Sequence, residues 1–172
     1  MKSFGLVAWW GVAGVDAILL NAVIRMLPLV AELVDHPLSL LELVALIGWV
    51  AMMAVAEGYR GFHRQFSPRV VARAQHLAAY PRPWLLALAP IYCIGLVHAT
   101  RRRLLTSWIL TLAIVTIVIA VRRVAQPWRG IIDAGVVVGL GIGILSIGYF
   151  VVRAHRGHPM PVPPDVPDAN GT

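Results

Sequence analysis

Charge is scarce in this 172-residue chain, and nearly all of it has one sign. Only 13% of the residues are charged, lysine occurs once, at Lys2, and eight acids stand against 14 arginines, leaving a net charge of +7. Cysteine also occurs once. Cys93 lies inside an apolar run, which excludes an intrachain disulfide and any paired-cysteine redox or zinc motif. No Walker loop, HExxH or GxSxG motif is present, so the common signatures of nucleotide, zinc-protease and serine-hydrolase chemistry are missing. A membrane-embedded b-type haem takes two axial ligands, and only His98 lies within an apolar segment. The acids are scattered, with no pair that would hold a metal at a membrane surface. His155 and His158 are spaced as a weak metal pair without a third ligand. The sequence therefore implies no cofactor and no metal. It carries no catalytic motif, and the reading leans away from an enzyme.

Apolar residues are abundant instead. They make up 59% of the chain, against about 45–50% in soluble domains, and the mean hydropathy is +0.76. Several runs approach the roughly 20 apolar residues that cross a bilayer. Short alternating strands, the mark of a transmembrane barrel, are not seen. The fold class is all-α: a polytopic integral membrane bundle of four to five helices with a short amphipathic interfacial helix. Residues 1–158 form one transmembrane domain, and 159–172, with five prolines and two acids, read as a disordered tail. The arginine surplus reads as positive-inside bias and contact with anionic lipid headgroups, not as nucleic-acid binding.

The spans are expected at about 4–24, 38–56, 104–121 and 131–152, with 84–99 a fifth, short or re-entrant segment. A cleaved leader is disfavoured because apolar character continues past Val15-Asp16-Ala17. Met26–Leu38, holding Pro28, Glu32, Asp35 and His36, reads as an interfacial connection on the outer side. Ser39 is a plausible start for the second span, with Glu42 stabilised at the helix N-terminus. In the last span Asp133 reads as capping its own helix or pairing with Arg122, Arg123 or Arg129.

One long polar interval, Glu57–Arg82, interrupts the apolar body. It holds Arg60, Arg64, Arg69, Arg73 and Arg82 against the single acid Glu57. Gly58 and Gly61 should break the preceding helix. Ser67-Pro68 reads as the N-cap and first position of a separate small helix. Its apolar side is Val70, Val71, Ala74 and Leu77, and its basic side is Arg69, Arg73 and His76. This stretch should face the cytoplasm of a bacterial inner membrane; the arginine-rich, Ala/Val/Gly-rich composition is a coding hint toward bacteria. Trp84–Ala99 is short for a span, has Pro90 near its middle, and precedes Arg101-Arg102-Arg103. Crossing would put nine basic residues inside and six outside, whereas dipping and returning gives eleven and four. The charge rule favours four spans, provided that the bundle covers the broken segment.

Three readings of function follow. The first is a non-catalytic bundle that organises membrane partners or lipid. Gly135, Gly139 and Gly143 form a ladder for helix packing, within the chain or in a homo-oligomer. The second is a small proton- or ion-coupled transporter built on Asp16, with Asn21, Arg25, Glu42 and His98 as the other polar groups at membrane depth. The third is a lipid-headgroup-modifying enzyme near Glu57, Tyr59, Arg60, His63 and Arg64, with Arg69 and Arg73 as further headgroup contacts. Glu57 and His63 would be its acid–base groups.

Overall fold

The protein is described here from a computed structural model covering residues 5–167. Among the described residues there are helices and no strands. They are α1 (Leu6–Ala31), a tight turn (Glu32–Asp35), α2 (Leu40–Ala79), the short α3 (Pro83–Ala87) and α4 (Ala89–Ile94), α5 (Arg101–Val121) and α6 (Trp128–His155). Four of these helices, α1, α2, α5 and α6, are long and apolar enough to cross a membrane.

The first span is longer than its expected end at residue 24. The helix runs through Arg25 and Pro28 to Ala31, and the interfacial helix expected over Met26–Leu38 contracts to the turn Glu32–Asp35. Tertiary contacts explain the extension. Gln126, from the turn before α6, donates to the Leu29 carbonyl at 3.0 Å and to the Glu32 carboxylate at 2.7 Å. A carbonyl that would otherwise be left open near the helix end is thereby satisfied. Leu33 is buried against Gly130. At the start of α2 the expected signal holds as a reciprocal capping box. The Ser39 amide donates to the Glu42 carboxylate at 2.8 Å, and the Glu42 amide donates to the Ser39 hydroxyl at 3.4 Å.

The second span does not end at Glu57. Helical backbone continues for 40 residues from Leu40 to Ala79, a path of about 60 Å at α-helical rise. Gly58 and Gly61 do not break it. Between Ala54 and Phe66 the helix widens into i→i+5 turns, and α-helical bonding resumes at Ser67. Ser67 sits in helical φ/ψ and caps nothing; its hydroxyl donates to the Gly143 carbonyl at 3.3 Å. Packing against α6 accounts for the widening. Among the α2 residues that meet α6 are Met53, Gly58, Phe62 and Ser67, spaced by four and five residues. A 3.6-residue period would carry such positions around the cylinder, whereas wider turns keep them on one side. Residues Ser67–Ala79 do form an amphipathic helix, as expected, but its apolar side enters the bundle.

The glycine ladder packs within the chain. Gly135 lies under Trp49 and Met53, Gly139 beside the Met53 carbonyl and the Glu57 Cβ, and Gly143 under the Phe62 ring. Contacts advance together along both chains, so α2 and α6 are parallel. Helix α1 is antiparallel to both: its end meets the start of α6, and Val12 and Val15 share a core with Ile147 and Phe150.

Trp84–Ala99 folds back on itself through two short helices. Pro83 and Pro90 each lie in the first turn of a short helix, where a missing amide costs little. Gly95 ends α4 at φ 92°, a left-handed geometry that suits glycine. The bundle covers the segment as the bilayer demands. Leu85, Ala89, Tyr92 and Cys93 are buried, Cys93 faces Gly11 and Pro90 faces Gly14, and Trp10 donates to the Leu86 carbonyl at 3.1 Å. Both ends of the segment lie near Arg73, so Arg101–Arg103 share the end of the molecule that holds Arg69. Helix α5 is unlike the others. Its first turns rest on the returning segment, with Ser107 near Gly95 and Trp108 donating to the Leu96 carbonyl at 3.2 Å. Beyond that, it packs along none of the other spanning helices.

Of the segment expected to be a disordered tail, residues 159–167 make contacts with the helices, while 168–172 lie outside the described residues. Met160 and Val166 pack against the core, the Thr100 amide donates to the Asp165 carbonyl at 3.1 Å, and Arg69 pairs with the Asp165 carboxylate at 2.8 Å. A proline-rich strand without internal hydrogen bonds can still be ordered when other elements supply donors, and Arg73 supplies two.

Candidate functional site

The most polar part of the interior is built around Arg73. Its position on α2 is set by the helical period that also buries Val70, Ala74 and Leu77, and its side chain is fully buried. Among the described residues no carboxylate pairs with it. The guanidinium donates instead to main-chain carbonyls: Nε to Tyr92 at 2.6 Å, one terminal nitrogen to Val97 at 2.9 Å and His98 at 3.1 Å, and the other to Pro164 at 2.7 Å and Asp165 at 3.4 Å. It also lies over the Tyr92 ring at 4.1 Å. Arginine suits this place because its planar fork presents five fixed donors and it stays charged when buried. One side chain thus joins α2, the returning segment and the tail. The sequence reading assigned Arg73 to lipid headgroups; the structure commits its donors to the protein itself. Arg69 is likewise occupied by Asp165.

Around this cage the rings form an arc. Tyr80 contacts His76 at 5.2 Å between centroids, and the Nδ1 of His76 is 3.0 Å from the Tyr92 hydroxyl. Tyr92 stacks on His98 at 6.3 Å, and His98 meets the edge of Trp84 at 6.1 Å. His98 has φ 47°, a left-handed conformation that is uncommon outside glycine, asparagine and aspartate. Burial, then the positive fields of Arg82 and Arg73, hold its imidazole below the usual histidine range. Nothing in the linear spacing of His76, Tyr92 and His98 revealed that they would meet.

A second polar contact lies further into the bundle. His63 Nδ1 is 3.0 Å from the Ser146 hydroxyl, and the imidazole stacks on Tyr59 and touches Tyr149 and Phe150. A serine beside a histidine invites a nucleophile–base reading. Two features weaken it. Ser146 lies mid-helix in α6, where neighbouring amides are used by the helix and cannot form an oxyanion hole. Among the described residues no carboxylate orients the imidazole. The pair acts as an interhelical hydrogen bond between α2 and α6. Glu57, Tyr59, Arg60 and Arg64 are exposed.

The intramembrane candidates do not converge. Asp16 has one carboxylate oxygen buried with no hydrogen-bond partner, while Asn21 and Arg25 lie exposed on other parts of α1. Glu42 is committed to its capping box and His98 to the ring arc at the opposite end of the molecule. Asp133 is buried 3.8 Å from Arg129, one helical turn back, so of its expected partners it meets Arg129. An apolar groove of about 480 Å³ lies beside Val30, Leu33, Ile47, Val50 and Ala134 and offers no polar group to a ligand. No family model matches the chain, and neither a curated protein nor a solved structure is similar to it.

Proposed function

We propose that this protein is a non-catalytic multi-pass membrane bundle that organises a membrane-embedded partner through α5, with its arginine-rich end on an anionic leaflet. The observation that carries the reading is the isolation of α5. Leu105, Ile109, Leu112, Val115 and Ile119 are each about half exposed or more, and Leu110, Ile114 and Ile117, on other sides of the same helix, are too. Lipid can cover one face of a helix at little cost. A spanning helix gains its fixed position, however, from close packing with another helix, and among the described residues α5 is packed closely along none of the other spanning helices. The other three spanning helices are tightly joined through glycines, which leaves α5 as the element free to dock.

Arg60, Arg64, Arg82, Arg101, Arg102, Arg153 and Arg156 lie toward one end of the bundle. Each arginine near an anionic surface adds roughly 1 kcal/mol of attraction. This supports the cytoplasmic leaflet of a bacterial inner membrane as the surface on which that end rests.

Cysteine crosslinking in native membranes tests the proposal. With Cys93 replaced by alanine, single cysteines on the two faces of α5, at Ile109 and Leu112 and at Leu110, Ile114 and Ile117, should give a crosslinked species larger than the monomer, strongest on one face. A monomeric protein with no crosslink at any α5 position would overturn it.

A further inference from the structure

We propose that the arc formed by His76, Tyr92 and His98 around Arg82 is a binding site for one phosphate group, presented by the headgroup of an anionic phospholipid or by a soluble phosphate. This deepens the reading of the basic end as leaflet-facing and does not depend on the α5 partner.

The geometry starts from Tyr92. It is fully buried, with the Arg73 guanidinium over its ring and its hydroxyl against His76 Nδ1. A cation over the ring makes a phenol a better hydrogen-bond donor. With Tyr92 as the donor to His76 Nδ1, the imidazole proton lies on Nε2, the nitrogen turned away from Tyr92. The second imidazole, His98, is held on the other side of the same phenol by stacking and by the edge of Trp84. Main-chain bonds from Arg73 to the Val97 and His98 carbonyls hold its backbone in the left-handed region. Such a conformation costs on the order of 1 kcal/mol or more in a non-glycine residue and persists where its surroundings enforce it.

The charges that act on the two imidazoles are positive. Arg73 and Arg82 act on both imidazoles. Among the described residues Arg82 pairs with no carboxylate, and the nearby Asp165 is held by Arg69. Arg82 is exposed, and so are Tyr80 and Trp84 on either side of it in the chain. Tyrosine and tryptophan favour the headgroup level of a bilayer. An arginine between two interfacial aromatics, backed by two imidazoles and a buried guanidinium, supplies what a phosphate requires: a bidentate fork, further N–H donors and an uncompensated positive field.

Native mass spectrometry of the full chain released from nanodiscs tests the site. Three lipids serve as probes: phosphatidylglycerol, phosphatidylethanolamine and phosphatidylcholine. Titration with inorganic phosphate, followed by 31P NMR, is the soluble arm. The expected result is one phosphatidylglycerol retained through delipidation, with at least tenfold weaker retention in Arg82→Gln and in His98→Asn. Asparagine tolerates left-handed φ, so the second variant keeps the backbone; thermal melts verify that both fold. Arg123→Gln, at the other end of the molecule, should retain lipid as the parent does. Millimolar inorganic phosphate binding that is lost in the same two variants, without lipid retention, assigns the site to a soluble phosphate. Equal retention by parent and both variants, with no phosphate binding, overturns the site. Equal weakening by Arg123→Gln reduces it to general surface charge. Failure of the parent to prefer anionic vesicles at all would instead reject the leaflet-facing reading, which is measured separately by vesicle flotation.

Discussion

Arg73 and Asp16 are both charged groups inside an apolar protein, and the physics treats them oppositely. Arg73 has protein acceptors for each of its three nitrogens, so its burial is compensated. Arg73→Met should remove those bonds and leave several carbonyls unpaired at about 1–3 kcal/mol each. The expected loss is at least about 3 kcal/mol, seen as a lower unfolding midpoint in denaturant, with faster proteolysis of the tail. Arg73→Lys should recover only part of it, because an ammonium cannot span the same carbonyls. Asp16 has a buried oxygen with no hydrogen-bond partner among the described residues. A carboxylate at membrane depth costs about 2.5–3.5 kcal/mol unless it is paired. Asp16→Asn should therefore leave the unfolding midpoint unchanged or raise it. A clear drop would reveal a partner for Asp16 and revive the transporter reading.

The helices are shaped by where glycine lets them approach. Along α6 two kinds of glycine differ only in what they face. A Cβ at Gly135 would collide with Trp49 and Met53, whereas nothing lies within contact of Gly141 or Gly148. Gly135→Ala should destabilise by about 1–3 kcal/mol, the usual cost of overpacking. At Gly139 the nearest atom is at 3.4 Å, so alanine there should be nearly neutral. Gly141→Ala and Gly148→Ala should be neutral or stabilising by up to about 1 kcal/mol, since alanine favours helix. Thermal unfolding in one detergent ranks the four. A flat ranking would mean that α2 does not seat on this ladder. The widened turns of α2 belong to the same contact, because they keep Gly58 and Phe62 over Ile142 and Gly143.

The molecule as a whole has four helices long and apolar enough to cross a membrane and a short segment that folds back on itself, so Gln65, Thr100 and His158 lie toward one end and Asp35 toward the other. Single cysteines at these positions, in a background without Cys93, should react with an impermeant thiol reagent from one side for the first three and from the opposite side for Asp35. Labelling of Thr100 from the Asp35 side would mean five crossings and would dismantle both the Arg73 cage and the ring arc. The isolation of α5 and the docking of residues 159–167 are properties of this arrangement, because each depends on elements distant in sequence.

The all-α class and the presence of several helices long and apolar enough to cross a membrane were legible in the chain itself. Apolar run length, helical period and arginine clustering are local quantities, and a bilayer leaves few ways to satisfy the backbone. The capping box at Ser39 and Glu42 was equally local. Tertiary contacts decided the rest. Gly58 and Gly61 read as a break because helix propensity is counted along one chain, but α6 supplies a surface that holds the helix together through them. Arg73 read as a surface arginine because its acceptors are main-chain carbonyls, which every residue carries and no sequence distinguishes. The tail read as disordered because it has no core of its own, yet it is ordered by donors from Arg73 and Thr100. The ring arc joins His76, Tyr92 and His98 only because Gly95 and two prolines turn the chain back on itself, and that closure exists only in three dimensions.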